Sequence, residues 1–199
     1  MYQRRIRYRI NFRPLGSESR YAINIRTEGS KSVTGLTRDP NSHKCIYIGS
    51  VTNANNLVEL QNTKITTIIS MANEFKTNKF SDKFIFKHFG LNDDLNEYIL
   101  PTLINTIEFI KDQTLIHCAM GRSRSVSAAM AYLMYVRDMT SDQALKTIQK
   151  YRPIAQPNSN YLNQLQILDY LLRYLKLKNL TCFKLITEYF SFDRFFLPK

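Results

Sequence analysis

"LIHCAMGRSRSVSAAMAYLM", residues 115–134, reads as a strand, a tight loop and a buried helix in immediate succession. The apolar run ends at Cys118, the chain turns through Ala119, Met120, Gly121, Arg122 and Ser123, and an alanine- and methionine-rich helix begins near Arg124. Such a junction gathers loop N–H groups and the positive end of a helix dipole around one point, which makes it a site for a phosphate group. Gly121 lets the loop turn tightly and bring its backbone close to an oxyanion. The guanidinium of Arg124 matches two phosphate oxygens in a way a lysine does not. A cysteine at a helix N-terminus beside Arg or His ionises more readily than a free thiol, so Cys118 is expected to react as the thiolate. His117 is expected to orient the turn and favour that thiolate, and Ser125 to donate a hydrogen bond to the sulfur when it becomes a leaving group.

The segments around this junction alternate between strand and helix. Cys45 to Gly49 is a short apolar strand, and Asn53 to Gln61 follows with helical spacing at Ala54, Leu57, Val58 and Leu60. Lys64 to Ser70 is β-branched and reads as a buried strand, as does the stretch around Phe84-Ile85-Phe86. After a polar loop, Asn92 to Glu97, a helix from Tyr98 to Lys111 accepts Pro101 in its first turn. Thr114 to Cys118 is the last strand of the set. Three helices follow: Ser125 to Val136; one opened by the capping pattern Thr140-Ser141-Asp142-Gln143, burying Ala144, Leu145 and Ile148; and a long one capped by Asn158 after Pro153 and Pro157. Strands alternating with helices predict an α/β fold, a single domain whose mostly parallel central sheet is flanked by helices.

The chain of 199 residues is long enough for one domain with extensions at both ends. Its formal net charge of +12 points to anionic partners. Residues 1–40 carry nine basic side chains against three acidic ones, so half of that charge lies in a fifth of the chain. Within this arm Arg5 to Arg13 alternates polar and apolar like a strand, whereas 14–41 loses periodicity and collects Gly and Pro, the composition of a linker. The start, MYQRRIRYRI, lacks the apolar core of a secretory signal, so a cytoplasmic or nuclear location is expected. Cys45, Cys118 and Cys182 are too scattered for a disulfide framework or a zinc site, and His43 and His88 have no metal-ligand spacing. His88 reads as structural and Cys45 as a small core residue.

His117-Cys118-x-x-Gly121-x-x-Arg124-Ser125 fits the signature of the cysteine-dependent protein tyrosine phosphatase superfamily, and its surroundings resemble the dual-specificity phosphatases. "YIGS" at 47–50, "ITTIIS" at 65–70, "AYLM" at 131–134 and "RPIAQPNSNYLNQL" at 152–165 are similar to that family in order and spacing. The resemblance covers about residues 42–175, leaving 1–41 as a basic arm and linker and 176–199 as an aromatic-rich extension. It implies a two-step hydrolysis without metal or cofactor, with Cys118 as nucleophile, residues 119–124 as the phosphate loop and an aspartate as general acid. In that family the hydrophobic pattern of the next helix begins about six residues after the acid, and counting from Asp93 puts Ile99, Leu103, Ile107, Phe109 and Ile110 in register, so the resemblance favours Asp93 over its neighbour Asp94.

Phosphorylated proteins, phosphotyrosine and phosphoserine or phosphothreonine alike, are the implied substrates. Arg122 is either a solvent-facing side chain or a second anion contact at the rim. In the latter case the loop resembles those of phosphatases acting on phosphatidylglycerophosphate or phosphoinositides, which makes a phospholipid phosphatase the alternative. An RNA 5′-triphosphatase is disfavoured because Ser-Arg-Ser stands where those enzymes carry Asn-Arg-Thr-Gly, and a non-enzymatic phosphoprotein-binding scaffold because Cys118, Arg124 and the aspartate are all present. The basic arm is expected to meet an acidic partner, with nucleic acid a weaker candidate. Phe183, Tyr189, Phe190, Phe192, Phe195 and Phe196 are expected to pack on the domain, the arm or a second copy in a homodimer.

Overall fold

The computed structural model describes residues 10–14, 21–25, 46–111 and 113–177. Two strands, β1 (Ile10–Pro14) and β2 (Tyr21–Ile25), form an antiparallel pair, with Ile10 opposite Ile25 and Phe12 opposite Ile23. β1 overlaps the alternation expected in the arm. β2 lies inside the stretch 14–41 read as a linker, where Tyr21-Ala22-Ile23-Asn24-Ile25 pairs with β1 along one edge.

The domain proper is a four-stranded parallel sheet with the order β3-β6-β4-β5, built from β3 (Ile46–Ser50), β4 (Thr67–Ala72), β5 (Ile85–Leu91) and β6 (Thr114–Cys118). The expected α/β architecture is present. Between β3 and β4 the expected single helix is two short ones, α1 (Val51–Ala54) and α2 (Leu57–Asn62). The break falls at Asn55-Asn56, where Asn56 Oδ1 accepts the Glu59 N–H and starts a new helix. α3 (Leu100–Phe109) begins two residues after the expected Tyr98, with Pro101 in its first turn. α4 (Arg124–Arg137), α5 (Ser141–Gln149) and α6 (Ser159–Leu177) follow β6 as expected.

Strand alternation divides the core. Ile46, Ile48, Ile69, Met71, Ile116 and Cys118 face the layer of α3, α4 and α6, packing with Leu103, Ile104, Met130, Leu133 and Leu165. Tyr47, Ile68 and Leu115 face the other way, against Ala54, Leu60, Phe80 and Phe84. Each fully buried aliphatic side chain stabilises the fold by about 1.5–3 kcal/mol relative to exposure. α4 runs through the centre, packed against α3, α5, α6, β3, β4 and β6, and its residues from Arg124 to Met134 are all buried. Ser50 lies opposite Cys118 and Ser70 opposite His117, so the carboxyl ends of β3, β4 and β6 come level. In a parallel α/β sheet that edge is where ligands bind.

Candidate active site

The loop from Ala119 to Ser123 leaves β6 and enters α4 at this edge. Its tightness has a backbone cause: Gly121 sits at φ +66°, and a Cβ there would lie 2.5 Å from the Gly49 carbonyl oxygen. Only glycine fits. The Val51 N–H donates to Ala119 O at 3.2 Å, tying the loop to the end of β3.

Cys118 is 2% exposed, and its sulfur is surrounded by donors. The Gly121 N–H donates to Sγ at 3.2 Å, and Ser125 Oγ lies 3.4 Å from it. Cys118, Arg124 and Asp93 line one open cavity of about 400 Å³ together with Ala119, Met120, Arg122, Ser123 and residues 156–159.

Arg124 is held from behind. Nη1 and Nη2 donate to the two carboxylate oxygens of Glu74 at 2.6 and 2.8 Å, and Nη1 also reaches Leu91 O at 3.2 Å. Its buried Nε makes no hydrogen bond, with Asp93 Oδ2 3.7 Å away. Burial alone would weaken the guanidinium's hold on its proton, but Glu74, Cys118 and Asp93 outweigh that. The same hydrogen bond with Arg124 holds the Glu74 carboxyl below the usual carboxylate range against the opposing effect of desolvation.

The two candidate acids part company here. Asp93 Oδ1 accepts from Ser123 Oγ at 2.7 Å and from Asn158 Nδ2 at 2.9 Å, which docks its carboxylate between the loop after β6 and the start of α6. Asp94 is exposed, and its carboxylate accepts the Asn96 N–H at 2.7 Å in a local turn. His117 is buried beside Phe75, with Nδ1 3.4 Å from Cys118 O and Nε2 unpaired. Burial, reinforced by His88 and opposed by the hydrogen bond at Cys118 O, lowers it from 6.5 to about 4, so it is neutral at pH 7. As a neutral ring with Nδ1 at the Cys118 carbonyl, it sits where it was expected to orient the turn. Arg122 hydrogen-bonds Gln156 Oε1 at the cavity rim, while Met120 is exposed there.

Two residues bearing on the site went unread in the sequence. Glu74 follows β4 as one acid in a polar turn and gave no signal. Arg152 lies within "RPIAQPN" and donates to two loop carbonyls from a buried position. Of the residues set aside, His88 contacts Ala72 O through Nε2 at 3.1 Å, a structural role, and His43, Cys45 and Cys182 lie outside the described residues.

Known proteins resemble the chain over the region that holds this cavity. The family model described as "Dual specificity phosphatase, catalytic domain" matches residues 46–188. The chain belongs to the dual-specificity phosphatases. Among curated members of that family it is 39% identical to human Protein phosphatase Slingshot homolog 3 over 128 residues, 61% of this chain and 19% of that protein. To Dual specificity protein phosphatase 1 of Arabidopsis thaliana it is 35% identical over 130 residues, 62% of this chain and 65% of that one. The chain thus matches about a fifth of the length of the Slingshot relative. Among solved dual-specificity phosphatases, the crystal structure of DUSP15 superposes with a TM-score of 0.62 at 26% identity, covering 67% of this chain and 89% of that one.

Proposed function

We propose that this chain is a protein phosphatase that hydrolyses phosphotyrosine and phosphoserine or phosphothreonine through a phosphocysteine intermediate. The observation that carries the reading is the buried Nε of Arg124, which makes no hydrogen bond and lies 3.7 Å from Asp93 Oδ2 beside the cavity that Cys118 and Arg124 line, while Glu74 occupies the other side of the guanidinium. An arginine so held presents Nε and the remaining Nη2 proton to two oxygens of one phosphate.

In the first step Cys118 Sγ attacks phosphorus, forming the S–P bond as the P–O bond to the substrate breaks. Loop N–H groups and Arg124 stabilise the equatorial oxygens, and Asp93 gives its proton to the departing oxygen. In the second, Asp93 takes a proton from water as it attacks phosphorus, and Ser125 stabilises the sulfur that leaves as thiolate. The scheme needs neither metal nor cofactor, since Arg124 and the loop dipoles supply the positive charge.

The catalytic unit spans about 42–175, and the basic arm 1–41 serves acidic partners or substrates in the cytoplasm or nucleus. No helix among the described residues is long and apolar enough to cross a membrane. The phospholipid alternative drew on Arg122, which is engaged by Gln156, and the relatives reported above are named as protein phosphatases.

The test is initial-rate phosphate release from phosphotyrosine and phosphothreonine peptides, phosphatidylglycerophosphate and phosphoinositides, with wild type beside Cys118→Ser. Release from peptides that vanishes in Cys118→Ser is expected. Release confined to the lipids overturns the protein reading, and phosphopeptide binding without turnover would make the chain a scaffold.

A further inference from the structure

Arg152 follows α5 and is 4% exposed. Its place is fixed by its own backbone: its N–H donates to Ile148 O and its carbonyl accepts the Ala155 N–H, both at 2.9 Å. From there Nε donates to Gly121 O at 2.5 Å and Nη2 to Met120 O at 3.1 Å. Those are consecutive carbonyls at the tip of the phosphate loop. Nη2 also lies 2.5 Å from where a Cβ on Gly121 would stand, so the missing side chain of Gly121 is the space Arg152 fills.

A trans peptide unit points its N–H opposite to its carbonyl. Drawing Met120 O outward therefore turns the Gly121 N–H inward, where it donates to Cys118 Sγ, and drawing Gly121 O outward turns the Arg122 N–H toward the cavity. Among the described residues no carboxylate pairs with this guanidinium. A buried cation without a counter-ion is costly, and it survives where other groups need its field. Burial lowers its hold on the proton, with Cys118 acting in the opposite direction.

We infer that Arg152 is a positioning residue for phosphate binding: its fork on the Met120 and Gly121 carbonyls sets the direction of the loop amides and adds positive potential behind Cys118. The inference rests on the phosphatase reading only for its effect on turnover. Loop geometry and oxyanion binding are independent of it.

The experiment compares full-length wild type with Arg152→Met and Arg152→Lys. Three readouts are taken: orthovanadate affinity by calorimetry, the pH profile of Cys118 alkylation by iodoacetamide, and kcat and KM on a phosphotyrosine peptide. Removing one preorganised donor from an oxyanion site costs about 100-fold in turnover, and a residue acting through the loop is expected to cost about tenfold in vanadate affinity in Arg152→Met. Its alkylation profile is expected to move to higher pH. Arg152→Lys keeps the charge but not the fork, so its profile recovers toward wild type while its vanadate affinity does not.

Wild-type vanadate affinity and alkylation profile in a folded Arg152→Met, with only a lower thermal midpoint, overturns the inference. Should that variant fail to fold, wild-type vanadate affinity in Arg152→Lys overturns it equally. If wild type releases no phosphate from any peptide while both loop readouts still follow Arg152, the proposed activity fails and the positioning role stands.

Discussion

Asp93 and Asp94 are adjacent in the chain and unlike in surroundings, which lets one substitution pair separate chemistry from charge. Asp93 is seated on the loop by Ser123 and Asn158, whereas Asp94 closes a local turn in solvent. General acid catalysis contributes about 100-fold or more where the leaving group is poor. Asp93→Asn is therefore expected to lower kcat on a phosphoserine peptide by about that factor. Its effect on an aryl phosphate with a good leaving group is expected to be much smaller, and Asp94→Asn should stay close to wild type on both. Steady-state kinetics on the two substrates check this, and a reversal of the variants would move the acid to Asp94. At this scale the sequence was informative wherever spacing carries chemistry: Cys118, Gly121, Arg124 and Ser125 meet around one sulfur and one cavity. It was silent on Glu74 and Arg152, because an ion pair across 50 residues and a loop clamp across 31 leave no periodic trace.

The start of α6 does two jobs with one face. Asn158 caps the helix by accepting the Tyr161 N–H at 2.8 Å and holds Asp93 with its amide. One turn on, Tyr161 donates to Asn92 O, and Asn160 and Gln164 both donate to Glu97 O at 2.8 Å. Gln164 also accepts the buried Ile99 N–H at 2.8 Å at the start of α3. Asn158→Ala is expected to lower kcat about tenfold by freeing the acid, on the scale of an acid's misplacement. Gln164→Ala leaves a buried N–H unpaired and is expected to cost about 1–3 kcal/mol of stability. Denaturant midpoints alongside kcat for the two variants test that division; equal effects on both quantities would contradict it. Two of the side-chain caps, at α5 and α6, were legible in advance. The Thr140–Gln143 box forms with both hydrogen bonds, at 3.1 and 3.0 Å, and Asn158 caps α6. Where the competing signal was a pair of asparagines inside an apolar spacing, at α1 and α2, one helix was read for two.

For the molecule as a whole, His117 ties stability to acidity. The folded chain lowers it from 6.5 to about 4, chiefly by burial, whereas the unfolded chain titrates near the ordinary value. Between those values the unfolded state binds the proton and the native state does not, so stability is full above the ordinary histidine range and falls as the pH drops toward 4. The span corresponds to about 3 kcal/mol. Thermal midpoints at about pH 7.5 and about pH 4.5 are expected to differ less in His117→Asn than in wild type. Parallel curves for the two proteins would remove His117 as the cause. A different consequence follows from α4, which has no solvent face from Arg124 to Met134 and is enclosed by three helices and three strands. A helix with no outer face has nothing to rest on until its neighbours have arrived. Arg124 and Ser125 are its first residues, so their alignment with Cys118 depends on the packing of all six neighbouring elements. A chain in which that packing is incomplete carries the whole signature in its sequence without the alignment that the signature needs.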